Sequence, residues 1–510
     1  MRIDPSTRKC RTSPRSTGAH TVARLIRRTR AVPHVRVKAW GRLPVSMDEF
    51  DLVVIGGGAA GEKGAAQAAY FGKSVALIEK EPVHGGAMVN TGTLPSKTLR
   101  ETALYLSGFR QRGLHGVDLS LSRKASVNDF LYRLEAVVTE ERLRIAANLD
   151  RHRVATFHGR ARFTGPHTLA IDGGDGPKVL KARHVLIATG SSPHRPPQFP
   201  FDHPCIYDSD EIVRVHDIPK SMVVVGGGVI GCEYACLFGA LGVQVTVVEP
   251  KPTILSFLDD DLIEGLKSRM QALGVSFRMP AQVWGCEPLD DGRVRLSLDS
   301  GNTLESDCVL VCAGRQGNTQ TLGLEHAGLQ VNKRGQLAVD PITFRTPVPH
   351  IAAVGDVIGF PALASTSMEQ ARVAVVHFFD LKYKTHVSPL FPYGIYTIPE
   401  VSMVGATERE LKEQQVDYVV GRAEFANNAR GVMVGDEGFL KLLYRRDDMT
   451  LLGVHCLGEN ATELVHVGLT ALMCQAKADL FINTCFNYPT LGESYKYATY
   501  DALGQRTRKE

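Results

Sequence analysis

No stretch of this 510-residue sequence holds the eighteen or so consecutive apolar residues that a membrane-spanning helix needs, which argues against a membrane-embedded role. None of the ten cysteines is spaced Cys-x-x-Cys, and most stand inside apolar runs. That pattern argues against a disulfide framework or a thiol-based metal site, and for reduced, buried thiols in a reducing compartment. No metal site is expected. Residues 85–97, GGAMVNTGTLPSK, contain no thiol at all. Whatever chemistry this segment supports, neither Met88 nor Thr93 can form a disulfide or act as a thiolate.

The net charge of +5 hides an uneven distribution. Residues 1–46 carry twelve Lys or Arg against a single acid, Asp4, whereas the rest carries 47 basic and 53 acidic residues. A mildly acidic body argues against a nucleic-acid partner. The basic segment is interrupted by Pro5, Pro14, Pro33 and Pro44, and it is expected to be disordered. Three readings stand: translated upstream sequence with Met47 as the working start, an organelle transit peptide, or a functional basic arm. The expected location is cytoplasmic, or the mitochondrial matrix if residues 1–46 are a transit peptide.

The length requires more than one core, two to four domains in all. Phe50 to Ile55 is a β-branched run that leads into Gly56-Gly57-Gly58-Ala59-Ala60-Gly61 and an Ala-rich helix through Tyr70. In such a strand–turn–helix unit Gly56 permits the tight turn, Gly58 lets the backbone approach a pyrophosphate, and Gly61 allows close helix-to-strand packing. The next strand closes at Glu79, eighteen residues past Gly61, where a carboxylate suits an adenosine ribose. The pattern recurs 170 residues later. Met222 to Val225 feed Gly226-Gly227-Gly228-Val229-Ile230-Gly231, a helix follows from Cys232, and a strand closes at Glu249. Two units imply two dinucleotides.

Three further strands return the chain to the first unit or close the second: HVLIATGSSP from His184, CVLVCAGRQGN from Cys308 and PHIAAVGDV from Pro349. The last presents Asp356 at its carboxyl end, the edge where open α/β sheets bind ligands, so Asp356 suits a polyol hydroxyl unless it only caps the next turn.

These ordered motifs resemble the two-dinucleotide-binding flavoproteins, the family of dihydrolipoamide dehydrogenase and glutathione reductase, over about residues 48–505. The resemblance implies an α/β fold of two Rossmann-like domains, for FAD and NAD(P), plus a C-terminal α+β dimerisation domain. The implied bounds are 1–47 for the tail, 48–195 and 325–391 for the FAD-binding domain, 196–324 for the NAD(P)-binding domain, and 392–510 for dimerisation. Gly86, Thr93, Lys97, Thr189, Gly190, Asp356 and Ala364 join Gly56, Gly58, Gly61 and Glu79 as implied FAD contacts. Gly226, Gly228, Gly231, Glu233, Glu249 and Gly314 are the implied nicotinamide-nucleotide contacts. Lys97 and Glu233 are the implied catalytic pair: a lysine against flavin N5, and a glutamate that pairs with it and touches the nicotinamide amide.

Disulfide-using members carry cysteines at the positions of Met88 and Thr93, and a partner-subunit histidine where this chain has Tyr488 in NYPTLGE. Both thiols and their base are absent together, which implies a changed reaction. With CIYDSDEI, AVGDVIGFPALAS, GIYTIPEVSMVG and FNYPT, the chain is similar within that family to the soluble pyridine-nucleotide transhydrogenases. That similarity implies hydride transfer between NADPH and NAD through FAD, by a ping-pong route without a disulfide, in a homodimer or higher homo-oligomer. Members of that branch keep a cysteine at the position of Met88, and this chain departs from them there. A quinone or dye reductase and a non-catalytic flavoprotein subunit are the alternatives. Glu249 favours NAD over NADP by repelling a 2′-phosphate, and Lys251 offsets that repulsion only if its ammonium reaches the phosphate.

Overall fold

The computed structural model describes residues 48–107, 126–173 and 176–507. The basic segment 1–46 lies outside them. The chain opens with β1 (Asp48–Ile55), α1 (Ala59–Tyr70), β2 (Val75–Glu79), α2 (Gly86–Asn90), α3 (Thr93–Leu106) and α4 (Val127–Arg151). Strands β3 (Ala155–His158), β4 (Arg160–Gly165), β5 (Thr168–Asp172), β6 (Lys178–Ile187) and β7 (Ser191–Pro193) follow. The first sheet has the order β3-β2-β1-β6-β5-β4. Strands β1, β2, β3 and β6 pair in parallel, and β4-β5-β6 form an antiparallel meander. Leu52, Val53, Val54 and Leu186 are fully buried because helices cover one face and the meander the other.

A second unit contains β8 (Ile206–Asp208), β9 (Ser221–Val225), α5 (Val229–Ala240), β10 (Gln244–Val248), α6 (Asp260–Ala272) and β11 (Val275–Arg278). Strands β12 (Val283–Pro288), β13 (Val294–Leu298) and β14 (Thr303–Ser306) form a separate antiparallel sheet, and β15 (Cys308–Val311) and β16 (Arg315–Gly317) complete the unit. The parallel order is β11-β10-β9-β15-β8. Helix α5 begins at Val229, three residues before the start expected from the sequence, because extended Gly228 is its N-cap and the helix opens directly on the glycine turn.

Strand β16 pairs with β7 where the chain crosses back. Leu322 and Leu324 already belong to the core of the first sheet, slightly ahead of the expected boundary at 325. Strand β17 (Ile351–Ala353) pairs with β6, and α7 (Ala364–Phe379) packs on α1, where a Cβ on Gly64 would stand 3.4 Å from that of Ala371.

The remaining elements are β18 (Tyr393–Ile395), β19 (Glu400–Gly405), α8 (Glu408–Glu413), β20 (Tyr418–Glu424), α9 (Ala429–Val434), β21 (Phe439–Arg445), β22 (Leu451–Gly458), α10 (Ala461–Met473), α11 (Ala478–Asn483) and α12 (Ser494–Thr507). They build an antiparallel sheet, β18-β19-β22-β21-β20, with Tyr444 and Tyr495 buried beneath it. No helix among the described residues is long and apolar enough to cross a membrane.

Candidate functional site

The two glycine turns are built alike. Gly56 and Gly226 adopt φ of +101° and +115°, open to glycine but strained for other residues. A Cβ on either would meet a carbonyl oxygen of a crossing strand at 2.5 Å, Ala188 O in one case and Cys312 O in the other. A Cβ on Gly61 or Gly231 would strike the carbonyl of Gly56 or Gly226 at 1.8 and 2.0 Å. Each turn is also tied by an acid. Glu79 Oε2 accepts Gly57 N–H at 2.7 Å, and Glu249 Oε2 accepts Gly227 N–H at 2.6 Å.

A cavity of about 1130 Å³ runs from the first turn to the second unit and the C-terminal sheet. Gly56, Gly58, Glu79, Gly86, Met88, Thr93, Lys97, Thr189, Gly190, Asp356, Ala364 and Glu233 line it. Five helices, α1, α2, α3, α5 and α7, begin on its wall, and none of the five has a side-chain cap. Uncapped N-termini direct unpaired N–H groups and positive dipole ends at the cavity, the environment a phosphate-bearing anion needs.

The cavity fits a dinucleotide at two further points. Gly58 and Gly86 stand together on the wall, where a Cβ on Gly86 would fall 2.9 Å from Gly58 Cα, and with no side chain on either the backbone of the turn stays open to a ligand. The buried hydroxyl of Thr189 has no hydrogen-bond partner and stands on the wall. Asn318 fixes that crossing, with Nδ2 on Thr189 O at 2.9 Å and its backbone N–H on Gly190 O at 3.0 Å. Asp356 accepts Ser191 Oγ at 2.8 Å on Oδ2. Ser191 Oγ is in turn gripped by Arg315 Nε at 2.8 Å, and Arg315 pairs with Asp210 at 2.9 Å.

Lys97 and Glu233, 136 residues apart, meet at 2.6 Å between Nζ and Oε2. Their side chains are 24% and 7% exposed, so the pair is largely removed from water at the cavity wall. The other Glu233 oxygen accepts Tyr396 N–H at 2.9 Å. Burying the two charges together is far less costly than burying either one alone.

Gly226, Gly228, Gly231, Glu249 and Gly314 do not line this cavity; they cluster about the second turn, where Gly228 and Gly314 have open space above their backbones. Glu249 Oε1 accepts the backbone N–H of Lys251 at 2.9 Å. The Lys251 ammonium instead stands 3.3 Å from Ser256 Oγ, exposed on the loop before α6.

Among the described residues no cysteine lines the cavity and none is in a disulfide. Met88 and Thr93 occupy the wall beside Lys97. Burial pushes the Cys236 and Cys312 thiols up to about 12 and raises Cys232 well above its ordinary value, so these remain protonated and unreactive. The expectation of buried thiols fails for Cys474 and Cys485, which are exposed near the ends of α10 and α11. Cysteine spacing does not report that both stand just past the end of a helix.

Local pattern reading assigned no role to Arg142, Ser191, Arg315, Tyr396 and His466, of which all line the cavity. Only membership of the quoted segments HVLIATGSSP, AGRQGN and GIYTIPEVSMVG pointed to three of them, Ser191, Arg315 and Tyr396, because the contacts they make are long-range.

The chain matches the family model described as pyridine nucleotide-disulphide oxidoreductase over residues 50–376, and that family's dimerisation domain over 391–499. It is 45% identical over 464 residues to the soluble pyridine nucleotide transhydrogenase of Mycobacterium tuberculosis, covering 90% of this chain and 98% of that protein. To the soluble pyridine nucleotide transhydrogenase of Chromohalobacter salexigens it is 41% identical over 466 residues, covering 90% and 100%. Among solved structures, LpdA from Mycobacterium tuberculosis superposes with a TM-score of 0.81 at 27% identity, over 89% of this chain and 99% of that one. The flavoprotein disulfide reductase RclA from Escherichia coli, as its Cu(II) complex, gives 0.80 at 26%, over 89% and 99%. With both family domains matched in order and these relatives aligned almost end to end, the chain belongs to the pyridine nucleotide-disulphide oxidoreductases, a family of FAD-dependent enzymes.

Proposed function

We propose that this chain transfers hydride between NADPH and NAD through FAD, by a ping-pong route in which no protein sulfur takes part. The observation that carries the reading is the buried Lys97–Glu233 pair on a cavity wall that holds Met88 and Thr93 and no cysteine. The identity to soluble pyridine nucleotide transhydrogenases supports the choice of substrates.

In this reading Gly56, Gly58, Gly61, Glu79, Gly86, Thr93, Lys97, Thr189, Gly190, Asp356 and Ala364 hold FAD. Gly226, Gly228, Gly231, Glu233, Glu249 and Gly314 hold the nicotinamide nucleotide. When bound, FAD supplies the hydride-accepting and hydride-donating chemistry. The chain supplies position and charge. Lys97 places a positive charge where negative charge develops, Glu233 fixes the ammonium and offers a carboxylate oxygen to a carboxamide N–H, and the uncapped helix ends hold the phosphates. Asp356, steadied by Ser191 on one oxygen, keeps the other for a polyol hydroxyl.

One site must then serve both nucleotides in turn, and the residues 391–499 matched to the dimerisation domain support a homodimer. The test mixes NADPH with a spectrally distinct NAD analogue in the absence of quinone, then repeats the assay with quinone as acceptor. Nucleotide-to-nucleotide transfer at rates comparable to or above quinone reduction is expected. Transfer far slower than quinone reduction would replace this reading with a quinone reductase.

A further inference from the structure

Three elements converge on one ammonium. Lys97 comes from the first turns of α3 and Glu233 from α5, while Tyr396 follows β18 in the C-terminal domain. Tyr396 meets both members of the pair. Its backbone N–H donates to Glu233 Oε1 at 2.9 Å, and its ring lies with its centroid 4.9 Å from Lys97 Nζ. Aromatic faces attract cations at this separation, more strongly where water is sparse. Ser96 Oγ also lies 3.3 Å from the ammonium.

The Tyr396 segment is itself fixed from the helix that carries Lys97. Arg100, one turn along α3, donates Nε to Thr397 O at 3.0 Å, and its Nη1 reaches Glu400 Oε1 at 3.4 Å. Thr397 is fully buried. Glu400 then accepts Thr462 Oγ1 at 2.8 Å at the start of α10. A lysine side chain has four rotatable bonds and loses substantial entropy when held, so an ammonium at a reacting centre needs walls as well as a counter-ion. The ring supplies a wall and the backbone orients the counter-ion.

We infer that Tyr396 is a positioning residue for hydride transfer, its ring holding the Lys97 ammonium and its backbone N–H holding Glu233 in register with it. This assignment rests on the role given to Lys97 above. It makes the C-terminal domain part of the reacting centre as well as an assembly surface.

The experiment compares Tyr396→Phe, Tyr396→Leu, Lys97→Met and the Lys97→Met/Tyr396→Leu double variant in the FAD-loaded enzyme. Three quantities are read: the flavin midpoint potential, the rate of flavin reduction by NADH, and the Kd for ADP. Tyr396→Leu should slow reduction at least tenfold and move the potential to more negative values, with the Kd for ADP within twofold. Tyr396→Phe keeps the ring and should stay within twofold of the parent in rate. The double variant should be no slower than Lys97→Met, because the ring acts through the ammonium. An unshifted potential with unchanged reduction in Tyr396→Leu would overturn the inference, as would additive losses in the double variant or a Phe variant as impaired as Leu. Flavin reduction by NADH and the potential do not depend on the second acceptor. A parent enzyme that fails nucleotide-to-nucleotide transfer while showing this ranking therefore defeats the transhydrogenase reading alone.

Discussion

Glu249 accepts the backbone N–H of Gly227 at 2.6 Å, so the acid placed to discriminate between nucleotides also ties down the second glycine turn. At about 4 Å a unit negative charge repels another by roughly 1 kcal/mol in water and about 4 kcal/mol near a protein surface. Glu249→Gln removes that charge and retains an acceptor for Gly227. It should raise affinity for 2′,5′-ADP relative to ADP by several-fold or more. Glu249→Ala should shift the same ratio and weaken both ligands, because the turn loses its tie. Calorimetric Kd values for the two ligands check this, and an unchanged ratio in both variants would show that the carboxylate does not face the 2′ position.

The two turns were legible because each depends on local chemistry: a strand, glycines at positions where a Cβ has no room, and an acid eighteen residues on. Gly56 and Gly226 could be read without a structure for that reason. The Lys97–Glu233 pairing came from resemblance, since nothing in either local sequence shows that residues 136 apart meet at 2.6 Å. Tyr396 is a harder case. Its link to Glu233 is through the backbone, and any residue type except proline offers that N–H. Helix bounds shifted only where a cap was misplaced, as at Val229.

Gly61 and Gly231 allow the two nucleotide sites to be separated by mutation. A Cβ at either would fall 1.8 or 2.0 Å from a carbonyl oxygen of its own turn, closer than any adjustment of a side chain can relieve. Gly61→Ala should yield protein depleted of flavin. Gly231→Ala should keep its flavin absorbance and lose ADP binding by at least tenfold. Equal flavin loss in both variants would mean that the second turn supports the first, contrary to the separate sheets on which they stand.

The absence of cysteine from the cavity wall among the described residues has a spectroscopic consequence. Anaerobic two-electron titration should convert oxidised flavin directly to reduced flavin, without a long-wavelength band from thiolate-to-flavin charge transfer. Alkylation of the exposed Cys474 and Cys485 should leave turnover within about twofold, the ordinary scatter of a surface change. Appearance of the band, or loss of turnover with flavin retained, would put a thiol at the reacting centre.

His184 makes stability depend on pH. Burial lowers its pKa to about 4, with Arg183 and Arg345 adding to the shift, and its Nδ1 is buried without a partner. The unfolded chain binds a proton near the ordinary value of about 6.5, so stability is complete above that pH and is lost as pH falls towards 4. The ring stacks on Phe378 at 4.5 Å, a contact that His184→Phe can keep. The fall in Tm between pH 7 and pH 4 should be smaller in His184→Phe than in the parent. An identical fall would mean that His184 is accessible to protons in the native state.

Lys441 joins the second nucleotide unit to the C-terminal sheet. Its side chain is only 1% exposed, and the ammonium lies 3.0 Å from Asp259, 2.8 Å from Asp261 and 2.7 Å from Glu408. Asp259 and Asp261 stand at the start of α6, and Asp259 Oδ1 also accepts Glu408 N–H at 2.9 Å. Burial pushes the Glu408 carboxyl up, but its bonds to Lys441 outweigh that and hold it below its ordinary value. His455, fully buried with Nε2 3.6 Å from Asp259, is held towards its neutral form by burial, so Lys441 supplies the compensating positive charge. Removing one partner of a buried ionic cluster typically costs about 3–5 kcal/mol. Lys441→Met should lose about that much stability at pH 7. Because a carboxyl held low by its partner takes up protons more easily once the partner is gone, the deficit relative to the parent should narrow as pH falls from 7 to 4. Denaturant midpoints across that range check the sign, and a deficit that widens on acidification would show that the carboxylates are satisfied without the lysine.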